Sequence, residues 1–153
     1  MKIKVNTVEN DKDWLLKLKD LIDKLELSNF VKCIYSPISK VKEEISMSRQ
    51  DKWYDISFLG EEMRKIDNID LLIVDGPFGG TTPYARYSAI PYLKNKFNDN
   101  FAVFLDDSSR LEESEIVGLW KEILNCRSVD MNRYSILSNS NGFDTTPINN
   151  SNI

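Results

Sequence analysis

Hydrophobic and polar positions change period several times along the chain, and each change marks an element. In KIKVNTVE, Ile3, Val5 and Thr7 alternate with polar neighbours, the two-residue period of a strand over Lys2–Val8. From Asn10 the spacing turns helical. Trp14, Leu15, Leu18, Leu21, Ile22 and Leu25 form one stripe, with Asn10 or Asp11 available as the cap. FVKCIYS (30–36) returns to a strand, stopped by Pro37. A short helix is expected over 39–47. Another lies within DKWYDISFLGEEMRKI, where Leu59, Met63 and Ile66 share a side.

The second half repeats the alternation with greasier strands. DLLIVD (70–75) runs apolar from Leu71 to Val74, and FAVFLDD (101–107) is similar. Between them a helix is expected from Pro83 to Phe97, with Pro83 in its first turn and a kink at Pro91. LEESEIVGLWKEIL reads as a helix that turns Ile116, Leu119, Trp120, Ile123 and Leu124 inward. Its acids Glu112 and Glu113 favour its positive N-terminal end. RSVDMNRYSILSNSNGF reads as one or two late strands, with a hairpin as one arrangement of them. Strands apolar on both faces, alternating with helices, imply an α/β fold. The expectation is a Rossmann-like, mostly parallel sheet with helices on both faces and a late antiparallel strand or hairpin. One domain is expected over 1–143, followed by a polar, flexible tail at 144–153.

Composition narrows the chemistry. The 153 residues carry a net charge of -4 with acids and bases intermixed, which argues against a nucleic-acid partner. No apolar run approaches the roughly 20 residues of a membrane span, and the N-terminus lacks a signal-peptide core. Cys33 and Cys126 have no metal-type spacing, consistent with reduced thiols in a cytoplasmic protein. Histidine is absent, so acid–base or metal chemistry falls to carboxylates, Tyr or Lys.

Three strands end on acid: Glu9, Asp75 and the Asp106–Asp107 pair. In open α/β sheets, ligands bind beyond the carboxyl ends of the strands. Carboxylates there can accept bonds from ligand hydroxyls or hold a hard cation. They can equally cap the following helix or open a turn, and for Asp107, followed by two serines, a cap is the simpler reading.

IDLLIVDGPFGGTTPYARYSAIPYL followed by FAVFLDDSSRLEESEIVGLW resembles the second half of class I S-adenosylmethionine-dependent methyltransferases, in particular small-molecule O-methyltransferase-like proteins. VNTVENDKDWLLKLKDLI and FVKCIYSPI resemble that family's second strand and helix and its third strand, so the likeness spans about residues 3–125. It implies O-methyl transfer to a small molecule or sugar, with S-adenosylmethionine as cofactor. Glu9 would take the ribose hydroxyls, and Ser36, Pro37 and Ile38 would lie along the adenine. Asp75, Gly76 and Pro77 would sit near the methionine portion. By likeness to metal-dependent relatives, Asp75, Asp106 and Asp107 would hold Mg2+, with Asp75 and Asp106 catalytic. Tyr84, Arg86 and Arg110 would contact substrate. For the two arginines a structural ion pair is the competing reading, and for Tyr84, with Tyr87 and Tyr92, packing against the sheet.

One departure stands out. The family's glycine loop follows its first strand, yet here the second-strand pattern starts within a few residues of Met1 and no glycine precedes Gly60. Without that central strand the sheet is expected to close up, to borrow a strand from a homo-oligomer or partner chain, or to be unstable alone. The alternative function is therefore a catalytically inactive α/β domain that binds a protein or ligand.

Overall fold

A computed structural model describes residues 3–140. The described residues form a mixed α/β fold with small parallel and antiparallel sheets and four α-helices. Its contacts divide it into two compact units. One holds the described residues up to Asp67 together with Gly76–Ser88, and the other holds Asn68–Asp75 and the described residues from Ala89 onward.

In the first unit, β1 (Val5–Glu9) and β2 (Val31–Tyr35) pair in parallel, from Val5↔Val31 to Glu9↔Tyr35. They are joined through α1 (Lys12–Lys24), whose cap Asp11 accepts a hydrogen bond from the Trp14 amide at 2.9 Å. β3 (Ile38–Lys40) and β4 (Lys52–Tyr54) form a small antiparallel ladder. α2 (Ile56–Met63) packs on β2, buries Leu59 and Met63, and carries Glu62 in an ion pair with Lys32 of β2.

Asp55 caps α2. Its Oδ1 accepts from the Ser57 amide at 2.8 Å and the Ser57 hydroxyl at 2.6 Å, and these bonds hold its carboxyl below the ordinary 3.8.

The loop after Gly76 is fastened by polar contacts to residues 47–52. Gln50 is buried; its Oε1 accepts from the Ser88 hydroxyl at 3.0 Å and the Met47 amide at 3.3 Å. The Thr82 hydroxyl donates to Asp51 Oδ1 at 2.6 Å, and the Asp51 amide donates back to the same hydroxyl at 3.1 Å. Arg49 donates to the Tyr84 hydroxyl at 2.8 Å and lies 5.1 Å from that ring's centre.

The second unit is a four-stranded sheet with order β5-β6-β8-β7. β5 (Ile69–Val74) and β6 (Phe97–Leu105) are parallel, in register from Leu71↔Ala102 to Val74↔Leu105. β7 (Arg127–Met131) and β8 (Tyr134–Ser138) form a hairpin with β8 antiparallel to β6. α3 (Ala89–Leu93) and α4 (Leu111–Leu124) complete the unit. Val103, Leu105, Ile116, Trp120 and Leu137 are fully shielded and form its core. α4 ends at Asn125, whose left-handed backbone (φ 46°) lets the Cys126 amide reach back to the Lys121 carbonyl at 3.2 Å.

Several expectations are corrected. The described strands form three small ladders, β1-β2, β3-β4 and β5-β6-β8-β7, of parallel and antiparallel pairs. The helix expected over 39–47 is instead β3 and one 3-10 turn at Glu43–Ile45, and β4 has no counterpart among the expected elements. The helix expected from Pro83 to Phe97 shrinks to α3 plus a 3-10 turn at Lys94–Lys96. Tyr84 sits at φ 54°, a conformation that a bulky residue in a helix cannot adopt, and its hydroxyl is already held by Arg49. Leu71 and Ile73 are 52% and 64% exposed because they share one face of β5, while Leu72 and Val74 turn to the opposite, covered face. The tail at 144–153 lies outside the described residues.

Two outcomes follow from the first unit. Gln50→Leu keeps the volume but leaves the buried Ser88 hydroxyl without its acceptor, so urea unfolding should show a loss of about 2 kcal/mol, and Ser88→Ala in that background should recover part of it. The Asp55 carboxyl has a folded pKa below its unfolded one. Its contribution is therefore present above the ordinary 3.8 and is lost as pH falls through the folded value. Asp55→Ala should be less stable at neutral pH, and its gap from the parent protein should narrow in acid, as read by thermal unfolding.

Candidate functional site

The parallel register of β5 and β6 ends with Val74 beside Leu105, so the next residues on the two strands, Asp75 and Asp106, emerge side by side. The Asp106 amide donates to the Val74 carbonyl at 3.1 Å, which carries the ladder one step past the strands. Asp107 follows at φ 54°, a left-handed conformation that Asp tolerates better than most residues and that turns its side chain back toward its neighbours. One carboxylate oxygen from each of Asp75, Asp106 and Asp107 lies within 4.8 Å of the other two. Asp75 is exposed and the other two are half-buried.

Two arginines face this cluster. Arg110, at the N-terminal boundary of α4, meets Asp107 Oδ2 at 2.8 Å. Arg133 lies in the two-residue turn of the β7–β8 hairpin, and its Nε is 3.5 Å from one oxygen of Asp106 and 3.5 Å from one of Asp107. The Arg133 carbonyl accepts from the Ser108 amide at 2.9 Å, tying the hairpin turn to the acidic turn. Beneath that tie, the Ser135 hydroxyl contacts the Ser108 hydroxyl at 2.8 Å and Asp130 Oδ1 at 2.6 Å. Arg133 is the residue that sequence reasoning missed. Its only signal is its place in a tight turn after an antiparallel strand, and nothing local says which sheet edge that turn reaches.

Three carboxylates offer the hard oxygen donors that a cation such as Mg2+ takes. The donor set fits such an ion. Arg110 and Arg133 would compete with such an ion, and the Arg133 side chain is 72% exposed, so it could leave without opening the core.

The remaining site candidates lie in the first unit. Glu9 and Ser36 adjoin: the Ser36 amide donates to the Glu9 carbonyl at 3.0 Å. Glu9 Oε1 accepts from the Asn10 and Asp11 amides at 2.7 and 2.9 Å, the capping role that an acid after a strand can take. Its Oε2 accepts no hydrogen bond from described residues. Ser36 is fully buried and its hydroxyl donates to the Asp55 carbonyl at 3.1 Å. The neighbouring Tyr54 approaches Gly76 so closely that a Cβ there would lie 2.5 Å from the Tyr54 hydroxyl. Glu9, Ser36 and Gly76 are thus linked through residues 54 and 55. Pro77 is fully buried, and Tyr84 and Arg86 are buried as well. A hollow of about 230 Å3 opens beside Ser39, Lys40, Tyr54 and Asp55, smaller than the roughly 300 Å3 at which ligand pockets usually begin.

No protein-family model matches the chain, and a search of curated proteins finds no match. No helix among the described residues is long and apolar enough to cross a membrane.

Arg133→Ala removes a positive charge from a group of three carboxylates. It should destabilise the protein by about 0.5–1 kcal/mol in low salt, and the loss should shrink near 1 M salt, where screening quenches the repulsion. Urea unfolding at the two ionic strengths measures both numbers.

Proposed function

We propose that this chain is a methyltransferase-type, Rossmann-like α/β protein that transfers a methyl group from S-adenosylmethionine to a hydroxyl of a small molecule or sugar, assisted by a divalent cation such as Mg2+. The observation that carries the reading is the convergence of Asp75, Asp106 and Asp107 at the carboxyl ends of two parallel strands. Further support comes from β8, the late antiparallel strand of the expected fold, set directly beside β6.

Each residue has a task that its surroundings suit. Asp106 and Asp107 hold the cation from half-buried positions on one turn. Asp75, the exposed acid, is the third ligand through one oxygen and with its other oxygen receives the proton released by the acceptor hydroxyl. Glu9 uses its outer oxygen to accept from a vicinal diol while its inner oxygen stays on the backbone. Ser36, Gly76 and Pro77 shape the backbone beside it. Arg110 and Arg133 neutralise the acids in the absence of a cation, and Arg133 yields to it. When bound, the cation supplies Lewis acidity toward the acceptor hydroxyl and S-adenosylmethionine supplies an electrophilic methyl group.

A second reading, an inactive domain that binds a protein or ligand, draws on a specific observation. Glu9 Oε1 already serves two backbone amides, and Asp106 and Asp107 already meet arginines. Calorimetric titration separates the two readings. Under the enzyme reading, Mg2+ and S-adenosylmethionine each bind in the micromolar range. Asp106→Asn abolishes the Mg2+ heat, Glu9→Gln weakens S-adenosylmethionine about tenfold, and Arg133→Ala tightens Mg2+. A folded protein that takes up neither is the inactive domain.

A further inference from the structure

Arg133 is anchored through its backbone and uncommitted at its head. It lies in the hairpin turn closed by the Met131↔Tyr134 pair. Its carbonyl accepts from the Ser108 amide at 2.9 Å, and the side chains of Ser135, Ser108 and Asp130 bond to one another under that turn. The guanidinium contrasts with this. Its Nε stands 3.5 Å from Asp106 and 3.5 Å from Asp107, beyond the roughly 3.2 Å of a good hydrogen bond, and the side chain hydrogen-bonds no described residue. Arg110 differs, meeting Asp107 Oδ2 at 2.8 Å. Arg133 therefore keeps the N–H donors of a planar fork beside the acids and spends none of them on the described protein.

Charge says what those donors suit. Three carboxylates and two guanidiniums in mutual contact leave one net negative charge. With a divalent cation held on the carboxylates, the same set carries one net positive charge. The sign reverses, and one anionic group on a ligand restores neutrality. A carboxylate matches both the single charge and the planar fork, whereas a phosphate dianion overshoots.

We propose that Arg133 is a substrate-binding residue and that the methyl acceptor is a small hydroxy acid. Its hydroxyl lies at Asp75 and its carboxylate on the Arg133 fork. This rests on the cation-assisted reading above and narrows its acceptor to molecules that carry a carboxylate close to the hydroxyl. Arg133 gives up Asp106 and Asp107 to the cation, and its tied backbone keeps the guanidinium within side-chain reach of them. The residue then acts in opposite senses on two ligands: it opposes the cation and attracts the hydroxy acid. An arginine that only neutralised the acids would do the first and not the second.

Calorimetry on the full chain, with 2-hydroxybenzoate as the probe and its neutral amide as the control, tests this without turnover. In saturating Mg2+ the acid binds at least tenfold more tightly than the amide, and without Mg2+ the preference disappears. By linkage, the acid tightens Mg2+ by the factor that Mg2+ tightens the acid. Arg133→Ala, checked for folding by circular dichroism, tightens Mg2+ yet abolishes the preference for the acid. Arg133→Lys, which keeps the charge without the fork, recovers part of it. A protein that binds Mg2+ but does not prefer the acid overturns the inference and leaves the cation reading standing, and so does an Arg133→Ala variant that keeps the preference. A folded protein that takes up no Mg2+ overturns both.

Discussion

The parallel ladder between β5 and β6 is the constraint on which the candidate chemistry depends. Parallel strands run out at the same end of a sheet, so residues just past their last pairs become neighbours without any loop design. With Val74 opposite Leu105, Asp75 and Asp106 come together, and the left-handed turn at Asp107 adds the third carboxylate. A one-residue slip would put every side chain of β5 on the opposite face and scatter the acids.

Crowding three carboxylates is costly unless positive charge is near, and the fold supplies it from two separate elements. Arg110 comes from the start of α4, and Arg133 from a hairpin turn that the Ser108 amide holds in place. Ser135, Ser108 and Asp130 form a polar chain under that turn, so the position of Arg133 depends on β7 and β8. In the proposed reading, the same arginines compete with a cation for these carboxylates. A cluster fully neutralised by fixed arginines would bind none, whereas an exposed Arg133 leaves the competition open.

Much of the fold is legible in the sequence because period and capping signals agree. α4 has its observed limits in the pattern, because LEESEIVGLWKEIL puts acids first and an apolar face after them. α1, β2 and the hairpin are legible for similar reasons. The failures have physical causes. Residues 83–88 look helical, yet contacts from Gln50 and Arg49 fix them in turns, and no local pattern encodes partners more than thirty residues away. The apolar run at 71–74 reads as doubly buried, but whether both faces of a strand are covered depends on what packs against each. The acids of the cluster are legible as strand ends; Arg133 is not, since only tertiary pairing brings its turn to them.

Titration with Mn2+, followed by amide NMR relaxation, asks whether these three carboxylates form one cation site. If they do, broadening is saturable and centred on the amides of Asp75, Asp106, Asp107 and Ser108, reversed by excess Mg2+ and absent in Asp106→Asn. Weak broadening spread over the many acidic residues of the surface, or broadening that survives Asp106→Asn, would contradict it.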